Sequence, residues 1–287
     1  MVGTYRDREA NPPPRLPNLR FVPCDLRDGR QVTRLFQEDE FGYVFHLGAQ
    51  SLPTLSWLDP VSTFESNIMG SLNLFEAIRR IERPPVVISA CSGAEYGHVQ
   101  PSVVPVTEEH PLRPLHAYGI SKVCLDLLAQ GYSRDYDIPT VNIRLFNTTG
   151  PGKTNDAPSD FVRQLVRVKK GLQPSVVEVG NLKPRRAFLD VSDTVSGFYV
   201  AALKCKRGEA YNLCADKPHE IRQVLRTAIR LSGVKVTIRP CSHLMRPSDE
   251  KIIFGNTRKF RRDTGWKPRK TLDQTLAAMF DYWERLT

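Results

Sequence analysis

A doubly wound parallel sheet of the α/β class, joined to a smaller α/β domain, is the fold that the order of residues along this chain predicts. Two apolar runs, Tyr43-Val-Phe-His-Leu47 and Val86-Val-Ile-Ser-Ala-Cys-Ser92, have the length and β-branching of buried strands, and each ends in small or polar residues. Between them, Asn67 to Arg80 places Ile68, Leu72, Phe75, Ala77 and Ile78 at helical spacing. Strand, helix and strand in that order make a parallel sheet. Ligands of such sheets gather beyond the carboxyl ends of the strands, where Gly48-Ala-Gln50 and Ser92 fall.

The remaining elements follow the same rules. Pro12-Pro-Pro14 is a surface loop leading to a strand at Leu19 to Pro23, and Asp25 to Glu38 has the Val32, Leu35, Phe36 spacing of a short helix. After a Pro-rich loop at Pro101 to Pro114, a helix is expected over Ala117 to Tyr136, with Val123, Leu127, Leu128 and Tyr132 as its apolar face. Thr140 to Phe146 is a further strand, and Gly150-Pro-Gly152 marks the exit to the smaller part, where Asp160 to Gly171 is amphipathic. Phe188 to Lys204 and a strand at Ala210 to Cys214 bring the chain back. The expected domains are therefore interleaved: 1–150 with 188–214, and 151–187 with 215–287. The last helix, Leu272 to Leu286, carries Leu276, Met279, Phe280 and Trp283 as a core stripe.

With 287 residues, 40% of them hydrophobic, the chain can bury a full core. No apolar stretch approaches the roughly 20 residues of a membrane span, and Met1 to Leu16 has no hydrophobic centre, so a cytoplasmic protein is expected. Cys24, Cys91, Cys124, Cys205, Cys214 and Cys241 show no paired spacing and lie mostly in apolar runs, as reduced core thiols do. The net charge of +10 raises nucleic-acid binding as an alternative class. The charges are scattered, however, and no stacking aromatics are interleaved with them. An anionic small-molecule substrate accounts for the surplus equally well. The six His residues have no metal-type pairing, and no metal site is expected.

Chemistry concentrates in Tyr118-Gly-Ile-Ser-Lys122. Tyr118 and Lys122 are one helical turn apart on one face, so the ammonium favours the phenolate and lowers a phenol pKa from about 10 toward the working range. The phenol becomes a usable acid or base. Ser92, delivered to the end of its strand, would hydrogen-bond the reacting oxygen. The three side chains together suit hydride transfer at an alcohol or carbonyl carbon.

These features, with Asp25-Leu26, Leu47-Gly-Ala-Gln50, Arg144-Leu-Phe-Asn147-Thr-Thr-Gly-Pro-Gly152, Val179-Gly-Asn-Leu182, Arg186, Phe188-Leu-Asp-Val191, Arg246-Pro-Ser248 and Thr264-Gly-Trp-Lys-Pro268, occur in one order. The chain resembles the extended short-chain dehydrogenase/reductases, the nucleotide-sugar epimerase and dehydratase group with its Rossmann-like sheet, over nearly its whole length. Within that group it is most similar to the enzymes of GDP-sugars, the GDP-mannose 4,6-dehydratases and GDP-4-keto-6-deoxymannose reductases. The resemblance implies a dinucleotide-binding large domain and a nucleotide-sugar-binding small one. Asp25 and Leu26 would lie near the adenine, Leu47, Ala49 and Gln50 near the cofactor's pyrophosphate and ribose, and Tyr118 and Lys122 at the nicotinamide ribose. Ser92 would contact the sugar, Asn147 the sugar or its phosphate, and Arg186 and Arg246 would hold the diphosphate, for which a planar guanidinium is suited. Arg6, after the Val2 block, suits the extra phosphate of NADP, with NAD the alternative. A homodimer through the Asn67 and Tyr118 helices is implied as well.

The dehydratases of the group carry Glu two positions after the catalytic Ser or Thr, where this chain has Ala94. The carboxylate is displaced to Glu95, and one residue can reverse a side chain's direction on a strand or tight turn. Reduction of a 4-keto sugar, or 4-epimerisation, is expected over dehydration, although the reductases also commonly have Glu at the Ala94 position. The sequence shows no glycine-rich turn of the dinucleotide-binding type, and its Val2 block resembles the end of a second strand. The first strand, helix and most of the second strand are thus expected to be missing, leaving the Tyr43–Leu47 strand uncovered and the nicotinamide cofactor weakly held. A non-catalytic remnant of the same fold is the alternative.

Overall fold

A computed structural model of the chain describes residues 1–6, 16–245 and 251–287. They divide into two compact units: Met1–Cys91 with Pro114–Asn142 and Lys206–Ala210, and Ser92–Arg113 with Ile143–Cys205 and Tyr211–Thr287. Residues 92–113, 143–150, 188–205 and 211–214 therefore group with the second unit, whereas the sequence assigned them to the first domain. Packing explains the difference. Tyr96, Val99, Val106 and Phe146 share one buried cluster with Ala187, Cys214 and Ile253.

In the first unit, β1 (Val2–Tyr5) and β2 (Arg20–Pro23) form a two-stranded parallel sheet, with Val2 opposite Arg20 and Tyr5 opposite Pro23. Helix α1 (Gly29–Glu38) starts four residues later than its apolar spacing suggests, because the Asp28 carboxylate accepts from the amides of Arg30 and Gln31 and caps it there. Strand β3 (Tyr43–His46) is followed by α2 (Pro53–Leu58), α3 (Pro60–Phe64), a π-helical turn at Glu65–Met69 and α4 (Gly70–Ile78). What the apolar spacing predicted as one helix from Asn67 is a π turn running into an α-helix. Strand β4 (Val86–Ser92) pairs with β3 in parallel, Tyr43 opposite Val86 and His46 opposite Ser89. Helix α5 (Ala117–Tyr136) has the predicted bounds. Its buried face differs: Leu125 and Ala129 turn inward with Ser121, Lys122 and Asp126, while Leu127 is 58% exposed.

Strand β5 (Thr140–Leu145) and, later, β10 (Glu209–Leu213) complete a sheet of order β10-β5-β4-β3. Cys24, Leu26, Val32 and Phe36 of the β2–α1 segment pack with Val44, Val87, Leu74, Phe75 and Ile78 in one core. Among the described residues, β3 ends its sheet and β1 ends the other. Alternate β3 residues face outward, Tyr43 at 46%, Phe45 at 42% and then Leu47 at 62% exposure. Strands of parallel sheets are ordinarily covered on both faces.

The second unit includes β6 (Thr148–Thr149), α6 (Ala157–Lys169), β7 (Val176–Val179), β8 (Arg185–Arg186), β9 (Leu189–Asp190) and α7 (Val191–Lys204). After β10 come β11 (His219–Glu220), α8 (Ile221–Ser232), β12 (Thr237–Pro240), β13 (Ile252–Ile253), α9 (Arg258–Thr264) and α10 (Leu272–Leu286). Helices α6, α8 and α10 enclose its main core, with Phe161, Leu165, Val224, Leu225, Leu276 and Met279 all buried beside Val177 and Val179 of β7. Strand β8 lies between β11 and β13, so Arg186 is opposite both His219 and Ile253. Cys24, Cys91, Cys205 and Cys214 are buried, and all six cysteines are free thiols.

Candidate active site

Two groups of the expected residues are assembled within the first unit. The first is built on α5, whose start is fixed by His116: its Nδ1 accepts from the Gly119 amide at 3.0 Å. The His116 ring stacks on Tyr118 at 5.9 Å between centroids and meets Trp57 edge-on at 5.6 Å. The phenol is thus held half-buried on the first turn of the helix. One turn later, Lys122 is only 4% exposed. Its Nζ donates to Ala90 O at 2.7 Å and lies 5.9 Å from the centroid of the Tyr118 ring. Ala90 is two residues before Ser92 on β4. A buried ammonium is costly to desolvate, and its hydrogen bond to Ala90 O offsets part of that cost.

Behind Lys122 lies a polar network that sequence reasoning missed. Asn67, 2% exposed on the π turn, donates from Nδ2 to Gln50 O at 2.9 Å and to Ser121 Oγ at 2.9 Å, and accepts from the Gln50 amide at 2.7 Å. Ser121 Oγ in turn donates to Tyr118 O at 2.7 Å. Gln50 Nε2 donates to Thr63 Oγ1 at 3.0 Å. One asparagine therefore couples the turn after β3 to the first turns of α5. The apolar spacing of its helix gave no sign of this, because the partners Gln50 and Ser121 are distant in sequence. His46 is buried too, its Nε2 2.8 Å from Ser71 Oγ. Burial, and then the Lys122 charge, push its pKa down to about 3, so this imidazole stays neutral.

The second group lies at the carboxyl ends of β1, β2 and β3. Asp25 accepts from Arg27 Nε and Nη2, the latter at 2.7 Å, and this hydrogen bonding is the main reason its carboxyl pKa is lowered; the charge of Arg6 adds to the effect. Parallel pairing of β1 with β2 brings Arg6 and Asp25 to the same edge. Leu26 sits against the turn after β3: a Cβ on Gly48 would come within 2.8 Å of Leu26 Cδ1, so a larger residue there would require the leucine side chain to shift. Leu47 is exposed, and Ala49 and Gln50 are half-buried beside it.

The second unit holds the other candidates. Ser92 ends β4 and caps the 3₁₀ turn Gly93–Glu95; its Oγ accepts from the Ala94 amide at 3.2 Å. Gly93 is required there, since a Cβ would meet the Phe146 ring at 2.7 Å. The displaced carboxylate of Glu95 is fully buried, accepts from the Ser92 amide at 2.6 Å and lies 3.6 Å from Arg144 Nε. It faces the interior of the turn. Asn147 is half-buried, its carbonyl accepting from the Leu189 amide at 2.8 Å. Arg186 is 8% exposed on β8, and its Nη1 donates to Arg185 O at 3.0 Å. Arg246 lies outside the described residues.

Comparison with known proteins identifies the family. A family model described as GDP-mannose 4,6 dehydratase matches residues 3–279. GDP-6-deoxy-D-mannose reductase of Pseudomonas aeruginosa is 30% identical over 242 residues, covering 84% of this chain and 80% of the relative. The solved structure of RMD from Pseudomonas aeruginosa, complexed with NADPH, superposes with a TM-score of 0.88 at 27% identity, covering 98% of this chain and 94% of that one. UDP-glucose 4-epimerase of Thermus thermophilus, solved with NAD, gives a TM-score of 0.82 at 27% identity over 93% of this chain and 86% of that one. On sequence and fold alike, the chain belongs to the GDP-mannose 4,6-dehydratase family of the short-chain dehydrogenase/reductase-type epimerases and dehydratases.

Proposed function

We propose that this protein is an NAD(P)-dependent oxidoreductase of nucleotide sugars, reducing the C4 ketone of a GDP-4-keto-6-deoxyhexose. The observation that carries the reading is the buried Lys122 beside the half-buried Tyr118 phenol on one face of α5. Membership of the family, and likeness to a GDP-6-deoxy-D-mannose reductase, support the substrate class.

In this reading Arg186 and Arg246 bind the diphosphate and Asn147 the sugar, so that remote binding energy aligns the ketone. A nicotinamide cofactor, when bound, supplies the hydride. Tyr118 gives its proton to the oxygen of C4, Ser92 donates a hydrogen bond to the same oxygen, and Lys122 stabilises the phenolate left behind. Ser92 Oγ already accepts from Ala94 N, which leaves its O–H free to serve as a donor. The residues present fit both ends of a dinucleotide. Tyr118 and Lys122 would hold the nicotinamide ribose; Asp25, Leu26, Leu47, Ala49 and Gln50 would line the adenine side and the centre. Arg6, next to Asp25, favours NADP.

Dehydration is disfavoured because the carboxylate nearest Ser92, on Glu95, is buried and turned away from solvent. The 4-epimerase relatives keep epimerisation as the second reading. A homodimer is the expected assembly: Leu58 (82% exposed), Val61 (65%) and Leu127 (58%) are uncovered apolar residues of α2, α3 and α5. No described helix is long and apolar enough to cross a membrane, and a cytoplasmic location is part of the proposal.

The test is product analysis with GDP-4-keto-6-deoxymannose and NADPH or NADH, run beside UDP-glucose and GDP-mannose. Formation of a GDP-6-deoxyhexose with matching loss of reduced nicotinamide is expected. Turnover of UDP-glucose alone would replace the reading with epimerisation, and conversion of GDP-mannose to its 4-keto product would replace it with dehydration.

A further inference from the structure

The turn that follows β4 contains a buried ion pair that neither hydride transfer nor substrate binding uses. Glu95 is 0% exposed and Arg144 is 5% exposed, with Arg144 Nε 3.6 Å from Glu95 Oε2. Replacing such a pair by apolar side chains is often neutral or stabilising, so stability alone is a weak account of its presence. The surrounding bonds indicate one. Glu95 Oε1 accepts from the Ser92 amide at 2.6 Å, while Ser92 Oγ accepts from the Ala94 amide at 3.2 Å, closing a reciprocal capping box around the proposed catalytic hydroxyl.

Arg144 is itself fixed from several sides. Its Nη1 donates to Tyr96 Oη at 3.0 Å and to Glu108 O at 2.7 Å, and its guanidinium stands 5.4 Å from the Tyr96 ring centroid. Tyr96 Oη donates to Asn212 Oδ1 at 2.7 Å, and the Asn212 amide donates to Glu108 Oε1 at 2.8 Å. The network closes on itself, all of it within the second unit. It ties the turn bearing Ser92 to β5 through Arg144 and to β10 through Asn212.

We propose that Glu95 is a positioning residue rather than an acid or base: clamped by Arg144, it holds the Ser92 turn so that the serine hydroxyl is presented as a donor. The inference rests on the reductase reading for what Ser92 does. The clamp itself stands on geometry alone. By committing the carboxylate nearest Ser92 to the backbone, it also restricts the turn to chemistry that needs a hydrogen-bond donor and no carboxylate base.

The 287-residue chain tests this with Glu95→Gln, Glu95→Val, Ser92→Ala, and Glu95→Val combined with Ser92→Ala. Because valine leaves the Arg144 charge unpaired, Glu95→Val/Arg144→Met carries the same measurements if the single variant fails to fold. Amide hydrogen exchange, which needs no activity, is expected to be faster by about tenfold at Ser92 in the valine variants, with glutamine near wild type because its carbonyl still accepts. Turnover of the 4-keto sugar is expected to drop by up to about 10²-fold in the valine variants, with KM little changed, and to recover in Glu95→Gln. The double variant should lose no more than Ser92→Ala alone, because Glu95 acts through that serine.

Unchanged exchange at Ser92 would overturn the clamp. Glutamine as inactive as valine, with one limb of the pH–rate profile lost, would make Glu95 an acid or base and overturn the positioning role. If wild type turns over no nucleotide sugar, the reductase reading fails by itself, and the exchange measurement still decides whether Glu95 holds the turn.

Discussion

Tyr118 and Asn67 represent two kinds of residue, one visible as chemistry and one as architecture. Replacing Tyr118 by Phe removes the proton donor and keeps the ring that stacks on His116, so kcat should fall by about 10²- to 10⁴-fold with little change in the melting temperature. Steady-state kinetics with the 4-keto sugar checks it. Asn67→Ala should behave oppositely at first sight. It removes bonds to Gln50 and Ser121 and leaves their partners buried, so a stability loss of about 1–3 kcal/mol is expected in denaturant titrations. His46 sets a pH dependence. Its folded pKa of about 3 lies below the value near 6.5 of an unfolded chain, so the unfolded state alone takes up a proton as pH falls through that interval. Stability contributed by the neutral imidazole is complete above about pH 6.5 and declines toward pH 3, by at most about 1.4 kcal/mol per pH unit. Urea midpoints measured from pH 7.5 to 5 should decline, and His46→Asn should flatten part of that slope.

At the scale of elements, β3 and α4 make a sharp contrast although both looked equally apolar in the sequence. Phe75 of α4 is fully buried and Phe45 of β3 is 42% exposed. Phe75→Ala should cost about 3–5 kcal/mol, whereas Phe45→Thr, which places a β-branched residue of high strand propensity in the strand, should change stability by less than about 1 kcal/mol. Thermal and denaturant unfolding of the two variants gives the comparison. The outward-facing row of Tyr43, Phe45 and Leu47 also gives β3 an exposed apolar surface open to association with other chains. Helix α5 has a similar double character. Leu125 and Ala129 face the core while Leu127 does not, and Leu127→Glu is expected to leave folding intact and convert the proposed dimer to monomer in sedimentation or light-scattering measurements.

For the whole molecule, the interleaving of the chain is the feature with most consequence. Strand β4 passes from the first unit into the second after Cys91, β5 after Asn142 and β10 after Ala210. A truncation at any one of these points would cut the covalent path of both units. Neither unit is a continuous segment that could be expressed alone. The expected result of limited proteolysis is therefore cleavage at exposed loop tips, with the fragments remaining associated, as size-exclusion chromatography of the digest would report.

The order of strands and helices and the bounds of α5 and α10 were legible in the sequence alone, as was the pairing of Tyr118 with Lys122 on one helical face. They are local: helical spacing, β-branched runs and side-chain type depend on near neighbours and on the solvent. The tertiary structure decided what depends on distant partners. Asn67 is a hub because the fold brings Gln50 and Ser121 to it from distant parts of the chain, and α5 buries Leu125 in place of Leu127 because β4 and α4 lie on that side. Glu95 became a buried clamp because β5 places Arg144 against it across 49 residues of chain. Periodicity says which residues share a face; only packing says what that face meets, since burial and charge pairing are properties of the folded surroundings.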